Sequence, residues 1–338
     1  MMRPRTHRPP PPVSYSAPTP EQQLRFLGNI QRLLAEGQFV SSYKFALLQA
    51  LTDLAVLHGD DSGASLRLPI EAIVERMAEL YWRQAAPFAG VAVLRQSTSS
   101  APALLEELQN VRKDRLDSLS ILKTNTARWA KVLDRSITAV SREPIPRLQV
   151  MGRVKVPFLY ERCSRGIVTL NPGVAYCLRT FRGLISELVQ SAWLRFVRRW
   201  NPGFEPEESN LADFLFGSSR MSLADARTIL LDAQSGRCFY CGHPAREFAV
   251  DHFIPWSLFP NDHLPNLVLA DSGCNGRKSD LLAAEKHLER WVEWLGSTNL
   301  AQLSARLPGV PERVFQQSRR IALWAYAAAD KGGSQVWL

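Results

Sequence analysis

Cysteine is scarce in this chain, and long apolar runs are missing. The 338 residues include five cysteines, too few and too unevenly spaced for a disulfide framework. No apolar run approaches the roughly 18 residues that a membrane-spanning helix needs, and the first residues lack the hydrophobic core of a secretory signal. We therefore expect a cytoplasmic protein with reduced thiols and without a membrane partner.

A nucleotide-binding P-loop is also missing, because no G-x-x-x-x-G-K-[ST] segment occurs. Any nucleotide dependence would therefore come from a partner. The chain does have enough apolar content, 46%, for two or three domains with their own cores. Its 41 Lys and Arg outnumber its 32 Asp and Glu, and the formal net charge of +9 favours an anionic partner such as nucleic acid.

One short window between positions 238 and 280 holds most of the metal-binding residue types. The residues that stand out are Cys238, Cys241, Asp251, His252, Asn266, Cys274, Asn275 and Lys278. Thiol, imidazole and carboxylate groups at such close range indicate a metal site. The apolar run 248–250 predicts a strand that ends at the Asp-His pair, 266–269 predicts a second strand, and the segment from Ser279 onward predicts a helix. The window therefore predicts a ββα unit with polar residues on each element.

The order D-H, then N-L-V-L, then C-N-x-x-K-S resembles the HNH (ββα-metal) nuclease family, with Asn275 standing where the last letter of that name falls. The segment is particularly similar to the HNH domain of RNA-guided CRISPR effector nucleases. It also resembles HNH proteins of bacterial restriction and defence islands that carry a C-F-Y-C pair. The resemblance implies hydrolysis of nucleic acid, with DNA favoured over RNA as the substrate.

The resemblance also implies roles for five residues. His252 would be the general base that takes a proton from water, a task that suits an imidazole near neutral pH. Asp251 and Asn275 would be oxygen ligands of a catalytic Mg²⁺ or Mn²⁺. Asn266 would hydrogen-bond the loop backbone that holds the base. Lys278 would face a phosphate oxygen, and the alternative is an exposed lysine in the first turn of a helix.

The cysteines indicate a second metal site. Cys238, Cys241 and Cys274 are candidate thiolate ligands of a structural Zn²⁺. Such a site prefers four ligands, and Asp271 or His243 would be the fourth. The alternative is a buried cluster of reduced thiols without a metal.

The segment 141–200 carries almost all of the positive surplus, with eleven Lys and Arg against three Glu. Residues 154–160 and 166–170 predict a β-hairpin, and 176–200 predict one helix that ends in R-F-V-R-R-W-N. Arginines beside aromatic residues suit a phosphate backbone with some base stacking, although a solvated charged face is the ordinary alternative. The segment also resembles the one that precedes the HNH motif in bacterial defence nucleases. The residues from which we expect nucleic-acid contacts are Arg179, Arg182, Arg195, Arg198 and Arg199.

The part of the chain before this segment is predicted to hold two units. Residues 1–20, rich in Pro and Arg, predict a disordered basic tail. Residues 21–140 predict a helical domain whose order of helix, helix, short strand and helix fits a winged-helix-like module or a plain helical scaffold equally. One long helix over 102–140 would connect this domain to the next segment.

The part after the basic segment is predicted to hold the nuclease. Residues 201–220 predict a linker and 221–330 the HNH domain. Helices over 281–295 and 311–329 would wrap the ββα unit, whose own core is thin. Residues 331–338 predict a frayed tail.

The sequence thus predicts a mainly helical α+β protein whose C-terminal ββα-metal domain hydrolyses DNA in restriction or anti-phage defence. One such site cuts one strand, so a double-strand break would need a homo-oligomer, a second encounter or a second nuclease. Two alternatives remain open. One is a non-catalytic nucleic-acid-binding protein that uses the HNH fold as a platform, and the other is a nuclease subunit gated by a defence-system partner protein.

Overall fold

The structure is a computed structural model that describes residues 15–114, 116, 118–203, 208–217, 223–244, 247–296 and 312–338. Most of the predicted tail, residues 1–14, lies outside the described residues. The last residues of that predicted tail form the start of helix α1 (Pro20–Glu36). Thr19 is the N-cap and forms a reciprocal capping box with Gln22, and Pro20 occupies the first helical position. The predicted disorder therefore does not extend to residues 15–20.

Helices make up most of the described chain and the strands are short, which confirms the prediction of a mainly helical α+β protein. The further helices are α2 (Tyr43–His58), α3 (Ile70–Tyr81), α4 (Ala103–Lys113), α5 (Leu119–Thr124), α6 (Thr126–Arg142), α7 (Val174–Thr180), α8 (Arg182–Trp200), α9 (Glu208–Phe216), α10 (Leu223–Ala233), α11 (Ser272–Lys278), α12 (Glu285–Leu295) and α13 (Glu312–Gly332). The strands are β1 (Leu66–Pro69), β2 (Val150–Met151), β3 (Val154–Lys155), β4 (Tyr160–Ser164), β5 (Ile167–Leu170), β6 (Phe248–His252), β7 (Leu267–Asp271), β8 (Leu282–Ala283) and β9 (Val336–Trp337).

The helix α2 is the centre of the N-terminal part. Every side chain from Lys44 to Leu57 is buried, because α3, α7, α8 and α13 surround the helix. A helix that is apolar on nearly all sides is expected only where neighbours cover it fully. The core of the N-terminal part therefore includes one helix, α13, that follows the nuclease motif in the chain.

A three-stranded antiparallel sheet has the order β1, β5, β4. Arg165 and Gly166 form the hairpin turn between β4 and β5, both with positive φ, as a tight two-residue hairpin requires. Leu66 pairs with Leu170 and Leu68 with Val168, so β1 is joined to a hairpin about a hundred residues later in the chain. The segments predicted as 21–140 and 141–200 share this sheet.

The predicted long helix over 102–140 is wrong, because the structure has three helices there, α4, α5 and α6. Asn125 begins α6 by accepting a hydrogen bond from the backbone N–H of Arg128. Similarly, the helix predicted over 176–200 is divided at Phe181 into α7 and α8. The apolar spacing continues across both breaks because the successive helices face the same core.

The C-terminal part contains the predicted pair of strands. β6 and β7 pair antiparallel, with Asp251 opposite Val268 and His252 opposite Leu267. The helix of the ββα unit is α11, which starts at Ser272 and ends before Ser279, where φ is 48°. The prediction that this helix begins at Ser279 is wrong, because Ser279 is its C-cap and the next helix, α12, starts at Glu285.

Two other segments differ from the prediction. The predicted linker 201–220 contains a helix, α9, among its described residues. The predicted frayed tail 331–338 forms β9, which pairs in parallel with β8 through Leu282 and Val336. Trp337 stacks on His287 with ring centroids 5.6 Å apart and an interplanar angle of 11°. Among the described helices, none has the length and apolar character to cross a bilayer.

Candidate active site and thiol cluster

The site is built on the end of β6. Successive side chains of a strand point to opposite faces, so Asp251 and His252 project to the two sides of the β6–β7 pair. Asp251 is buried, with 8% of its surface exposed. The side chain of His252 is 24% exposed.

Asp251 is held through one of its two carboxylate oxygens. Its Oδ2 accepts a hydrogen bond from the hydroxyl of Tyr240, 2.5 Å away, and lies 3.1 Å from Nζ of Lys278. Burial, together with the charge of Asp251, raises the pKa of Tyr240 well above its ordinary value, so the phenol remains a neutral donor. No described residue hydrogen-bonds Oδ1. The carboxylate is therefore fixed in orientation and keeps one oxygen for another ligand.

Lys278 is buried, with no exposed surface, and this corrects both sequence-based interpretations of that residue. Besides the contact with Asp251, its Nζ donates to the backbone carbonyl of His252 at 2.9 Å. A lysine so enclosed is neither a surface cation nor placed to meet a phosphate oxygen. Its charge instead balances Asp251 and ties α11 to the end of β6.

His252 contacts two side chains of the loop between β6 and β7. Its Nε2 lies 2.7 Å from Oδ1 of Asp262. Its ring centroid lies 5.6 Å from that of Trp256. Within the described part of the chain, no hydrogen bond occupies Nδ1. One ring nitrogen is thus engaged by a carboxylate and the other is open.

Asn266 lies at the base of the same loop and is fully buried. Its Oδ1 accepts from the backbone N–H of Ile254 at 2.9 Å. Its Nδ2 donates to the carbonyls of Ile254 and Asn261, each at 3.0 Å. The amide joins the two ends of the loop, so all of its hydrogen bonds go to loop backbone.

Asn275 lies on α11, half-buried, three residues before Lys278. Residues three apart in a helix are neighbours on its surface. Because Lys278 reaches Asp251 and His252, Asn275 lies on the face of α11 that is turned toward the end of β6.

The thiol groups of Cys238, Cys241 and Cys274 lie within 4.8 Å of one another. Asp271 caps α11 by accepting from the backbone N–H of Gly273 at 3.0 Å. Among the residues that the structure describes, neither Asp271 nor His243 adds a ligand atom to the group. The three sulfurs form a soft donor set that suits Zn²⁺, and the two proposed fourth ligands lie outside it.

The protonation of these thiols differs. Burial raises the pKa of the Cys274 thiol to about 12, and the two neighbouring thiols add to the effect. Burial also opposes ionisation of Cys238, but hydrogen bonds from nearby backbone N–H groups, foremost that of Asp271, hold its pKa below the ordinary value. Nη2 of Arg277 lies 3.3 Å from the sulfur of Cys274. Metal binding would release the proton of Cys274.

Two of the five arginines predicted to contact nucleic acid are in the interior. Arg179 is 9% exposed and bonds Asp61 and backbone carbonyls of α2 and the turn after it. Arg182 is 3% exposed, and its Nε and Nη2 both donate to Oδ1 of Asp53. Both guanidinium groups are committed to protein acceptors, which corrects their assignment to a phosphate backbone. The exposed members of the set are Arg195, Arg198 and Arg199 on α8.

The sequence prediction did not include Asp262 or Tyr240, and it gave Arg182 a different role. Asp262 engages His252, Tyr240 engages Asp251, and Arg182 joins the loop between β6 and β7 to α2. A signal existed for two of them. Tyr240 lies inside the C-x-x-C pair, and Asp262 is the only acidic residue of the loop 253–266. Nothing local indicates the partners of Arg182.

Comparison with protein families agrees with this geometry. Residues 238–284, which include β6, β7 and α11, match the family model described as HNH endonuclease. Residues 23–214 match a second family model, described as a domain of unknown function, DUF8808. That match covers more than half of the chain, and the chain therefore belongs to the DUF8808 family. No curated protein and no solved structure matches the chain.

Proposed function

We propose that this protein is a metal-dependent endonuclease that hydrolyses phosphodiester bonds of DNA. The observation that carries the proposal lies at the end of β6: Asp251 has one carboxylate oxygen, and His252 one ring nitrogen, that no described residue hydrogen-bonds. The match to the HNH endonuclease model over residues 238–284 supports the same class of chemistry.

The donor set fits a hard divalent cation. Oδ1 of Asp251 is not hydrogen-bonded by any described residue, and the amide oxygen of Asn275 is the second proposed ligand. Oxygen donors are the ligands that Mg²⁺ and Mn²⁺ prefer. When bound, such an ion would polarise the phosphate and stabilise negative charge on the leaving oxygen.

The protein's own part in the reaction is proton transfer and positioning. A water oxygen forms a bond to phosphorus, and the bond from phosphorus to the leaving sugar oxygen breaks. The proton of that water goes to Nδ1 of His252, the nitrogen that has no hydrogen-bond partner among the described residues. Lys278 and Tyr240 keep Asp251 in place during this step, and Asn266 keeps the loop closed.

Duplex DNA is the proposed substrate, with α8 as part of its binding surface. Arg195, Arg198 and Arg199 are exposed on this helix, and the guanidinium of Arg199 lies 5.8 Å from the ring centroid of Trp200. The strand order β1, β5, β4, with α3 in contact with β1, supports a winged-helix-like arrangement of this DNA-binding part. Restriction or anti-phage defence, with an oligomer for double-strand breaks, is the setting that the resemblance favours.

The test is conversion of supercoiled plasmid to nicked and linear forms with Mg²⁺ or Mn²⁺. We expect nicking that EDTA abolishes and that His252→Ala and Asn275→Ala reduce by about 10²-fold or more. His243→Ala is the matched control, because His243 is an exposed histidine outside the site, and this variant should cleave like the parent. Folded His252→Ala protein that nicks as fast as the parent would overturn the proposal.

A further inference from the structure

The loop 253–266 connects β6 to β7 and lies between the nuclease unit and the N-terminal part of the chain. One of its residues, Asp262, engages His252. Another, Phe259, is 2% exposed and belongs to the core. The position of Asp262 therefore depends on what holds this loop.

Phe259 is held between side chains that belong to other parts of the fold. The guanidinium carbon of Arg182 lies 4.4 Å from the centre of its ring, and that of Arg76 lies 5.8 Å from it. The ring of Trp324, from α13, packs edge-on with centroids 6.2 Å apart. A cation over an aromatic face in a desolvated place is a stabilising contact with a defined geometry.

Arg182 also forms a hydrogen bond with the loop backbone. Its Nη1 donates to the carbonyl of Leu258 at 2.7 Å, while its Nε and Nη2 are bound to Asp53. The other oxygen of Asp53 accepts from Arg76 at 2.8 Å. This ion cluster is buried, so its members have few alternative partners and a fixed arrangement.

Asn261, which precedes Asp262 in the loop, is also held by hydrogen bonds. The backbone carbonyl of Asn261 accepts from Asn266 at 3.0 Å, and its side chain lies 3.4 Å from Oγ of Ser318 on α13. The side-chain oxygen of Asn261 accepts from the backbone N–H of His263 at 3.1 Å. Asp262 is thus flanked by two residues whose positions are set by hydrogen bonds.

The chemistry of the contact with His252 follows from the donor and acceptor inventory. An ionised carboxylate has no hydrogen to donate, so Nε2 of His252 must carry the proton of this hydrogen bond. A neutral imidazole with hydrogen on Nε2 has its lone pair on Nδ1. The contact therefore selects one tautomer and leaves Nδ1 as the basic nitrogen.

We propose that Asp262 is the positioning residue of His252, and that the DUF8808 region fixes Asp262 by clamping Phe259 and Leu258 with Arg182. The consequence for cleavage rests on the proposed function, whereas the tautomer and the ring orientation do not. The DUF8808 region thus contributes to the site, because its buried ion cluster positions the loop and, through Asp262, the ring of His252.

The first test is the tautomer of His252, measured by ¹⁵N NMR of the full chain at alkaline pH without metal or DNA and assigned by loss of the signal in His252→Ala. We expect the parent to show hydrogen on Nε2 and Asp262→Ala to show a mixture of tautomers. Asp262→Asn should retain the parent tautomer, because the amide oxygen still accepts. A parent that shows a mixture, or an Asp262→Ala variant unchanged from the parent, would overturn the proposal.

The clamp is tested with Phe259→Leu, which keeps most of the buried volume and removes the aromatic face, and Ser257→Ala is the matched control from an exposed position of the same loop. We expect Phe259→Leu to show the mixture and Ser257→Ala to match the parent. In cleavage, Asp262→Ala and Phe259→Leu should lower kcat by roughly 10 to 100-fold with little change in KM. An unchanged tautomer in folded Phe259→Leu would overturn the clamp. If Asp262→Ala and Phe259→Leu change the tautomer of His252 but the parent protein does not cleave DNA, the nuclease proposal alone would be refuted.

Discussion

The hydroxyl of Tyr240 lies 2.5 Å from Oδ2 of Asp251. Tyr240 stands between Cys238 and Cys241, so the segment that gathers the thiols also supplies the hydrogen bond that orients the carboxylate. Nη1 of Arg290 donates to the backbone carbonyl of Tyr240 at 3.0 Å and fixes the segment from the other side. The two candidate metal sites are therefore linked by one side chain.

Removing that hydroxyl tests the link. Tyr240→Phe keeps the ring contacts with His287 and Trp337 and takes away only the donor. We expect Mn²⁺ affinity and cleavage to fall by about 10 to 100-fold, because an unanchored carboxylate is a poorer ligand. The measurements are calorimetric Mn²⁺ titration and plasmid nicking. Tyr160→Phe is the control, since it also loses one buried phenol hydrogen bond, to the carbonyl of Ile145 in the N-terminal part of the chain. Equal metal affinity in Tyr240→Phe and the parent would refute the prediction.

The thiol cluster is predicted to hold one Zn²⁺ per chain, which metal analysis of the purified protein measures. Cys274→Ala should lose the zinc and lower the melting temperature, because three thiols gather α11 and the segment before β6. Cys163→Ala, a change at a cysteine outside the cluster, should keep the metal. A parent without zinc after preparation under metal-replete conditions would leave the cluster as reduced thiols.

The exposed arginines of α8 are predicted to contribute to DNA affinity by neutralising phosphates. Changing Arg195, Arg198 and Arg199 together to Gln should weaken binding and reduce the slope of log K against log salt by about 0.9 for each phosphate that is no longer neutralised. Changing Arg25, Lys131 and Arg319 to Gln removes the same charge from exposed positions of α1, α6 and α13 and is the control. Fluorescence anisotropy with a short DNA duplex at several salt concentrations measures the affinity and the salt slope of each triple variant. Equal slopes in the two triple variants would contradict a DNA surface on α8.

The buried ion cluster predicts a dependence of stability on pH. Burial opposes ionisation of Asp53, but Arg76 and Arg182 together hold its pKa below the ordinary value. The folded pKa is lower than the unfolded pKa. The contribution of Asp53 is therefore complete above the unfolded value and is lost as pH falls through the folded value. We expect the free energy of unfolding to fall with acid below about pH 4.

The variant Asp53→Asn measures how much the Asp53 carboxylate contributes to the free energy of unfolding. At neutral pH the variant should lose roughly 3 to 5 kcal/mol of stability, because the buried guanidinium of Arg182 loses its counter-ion and that of Arg76 keeps only Glu79. Its unfolding free energy, determined in denaturant from pH 7 downward, should change less steeply with acid than that of the parent. Parallel curves for the two proteins would contradict the assignment of this effect to Asp53.

The ββα unit was predictable from the sequence to different degrees along its length. The apolar runs before Asp251 and after Asn266 predict β6 and β7 because half-buried strands require such residues. α11 was misplaced because S-G-C-N-G-R-K contains two glycines and no long apolar face. The helix forms there because Asp271 caps it and because Cys274 and Lys278 are buried on one side.

The positions of charged side chains were the least predictable part. Arg182 and Arg195 are alike in sequence terms, since each lies in the same basic segment beside apolar residues. Asp53, the partner of Arg182, is 129 residues earlier, and no local pattern indicates such a pairing. A charged residue contributes to the charge of the surface only if its side chain is exposed. Whether it is exposed depends on the assembled fold and not on the local sequence.

The parallel pairing of β8 with β9 has a consequence for the order in which the protein matures. Trp337 packs edge-on against Tyr240 with ring centroids 5.1 Å apart, and it stacks on His287. A ribosome delivers Trp337 long after it has delivered the whole HNH motif. While the chain is being made, the ring of Trp337 is therefore absent from beside Tyr240 until β9 has been synthesised and has docked. Synthesis itself thus imposes a delay between the appearance of the nuclease motif and the completion of its site.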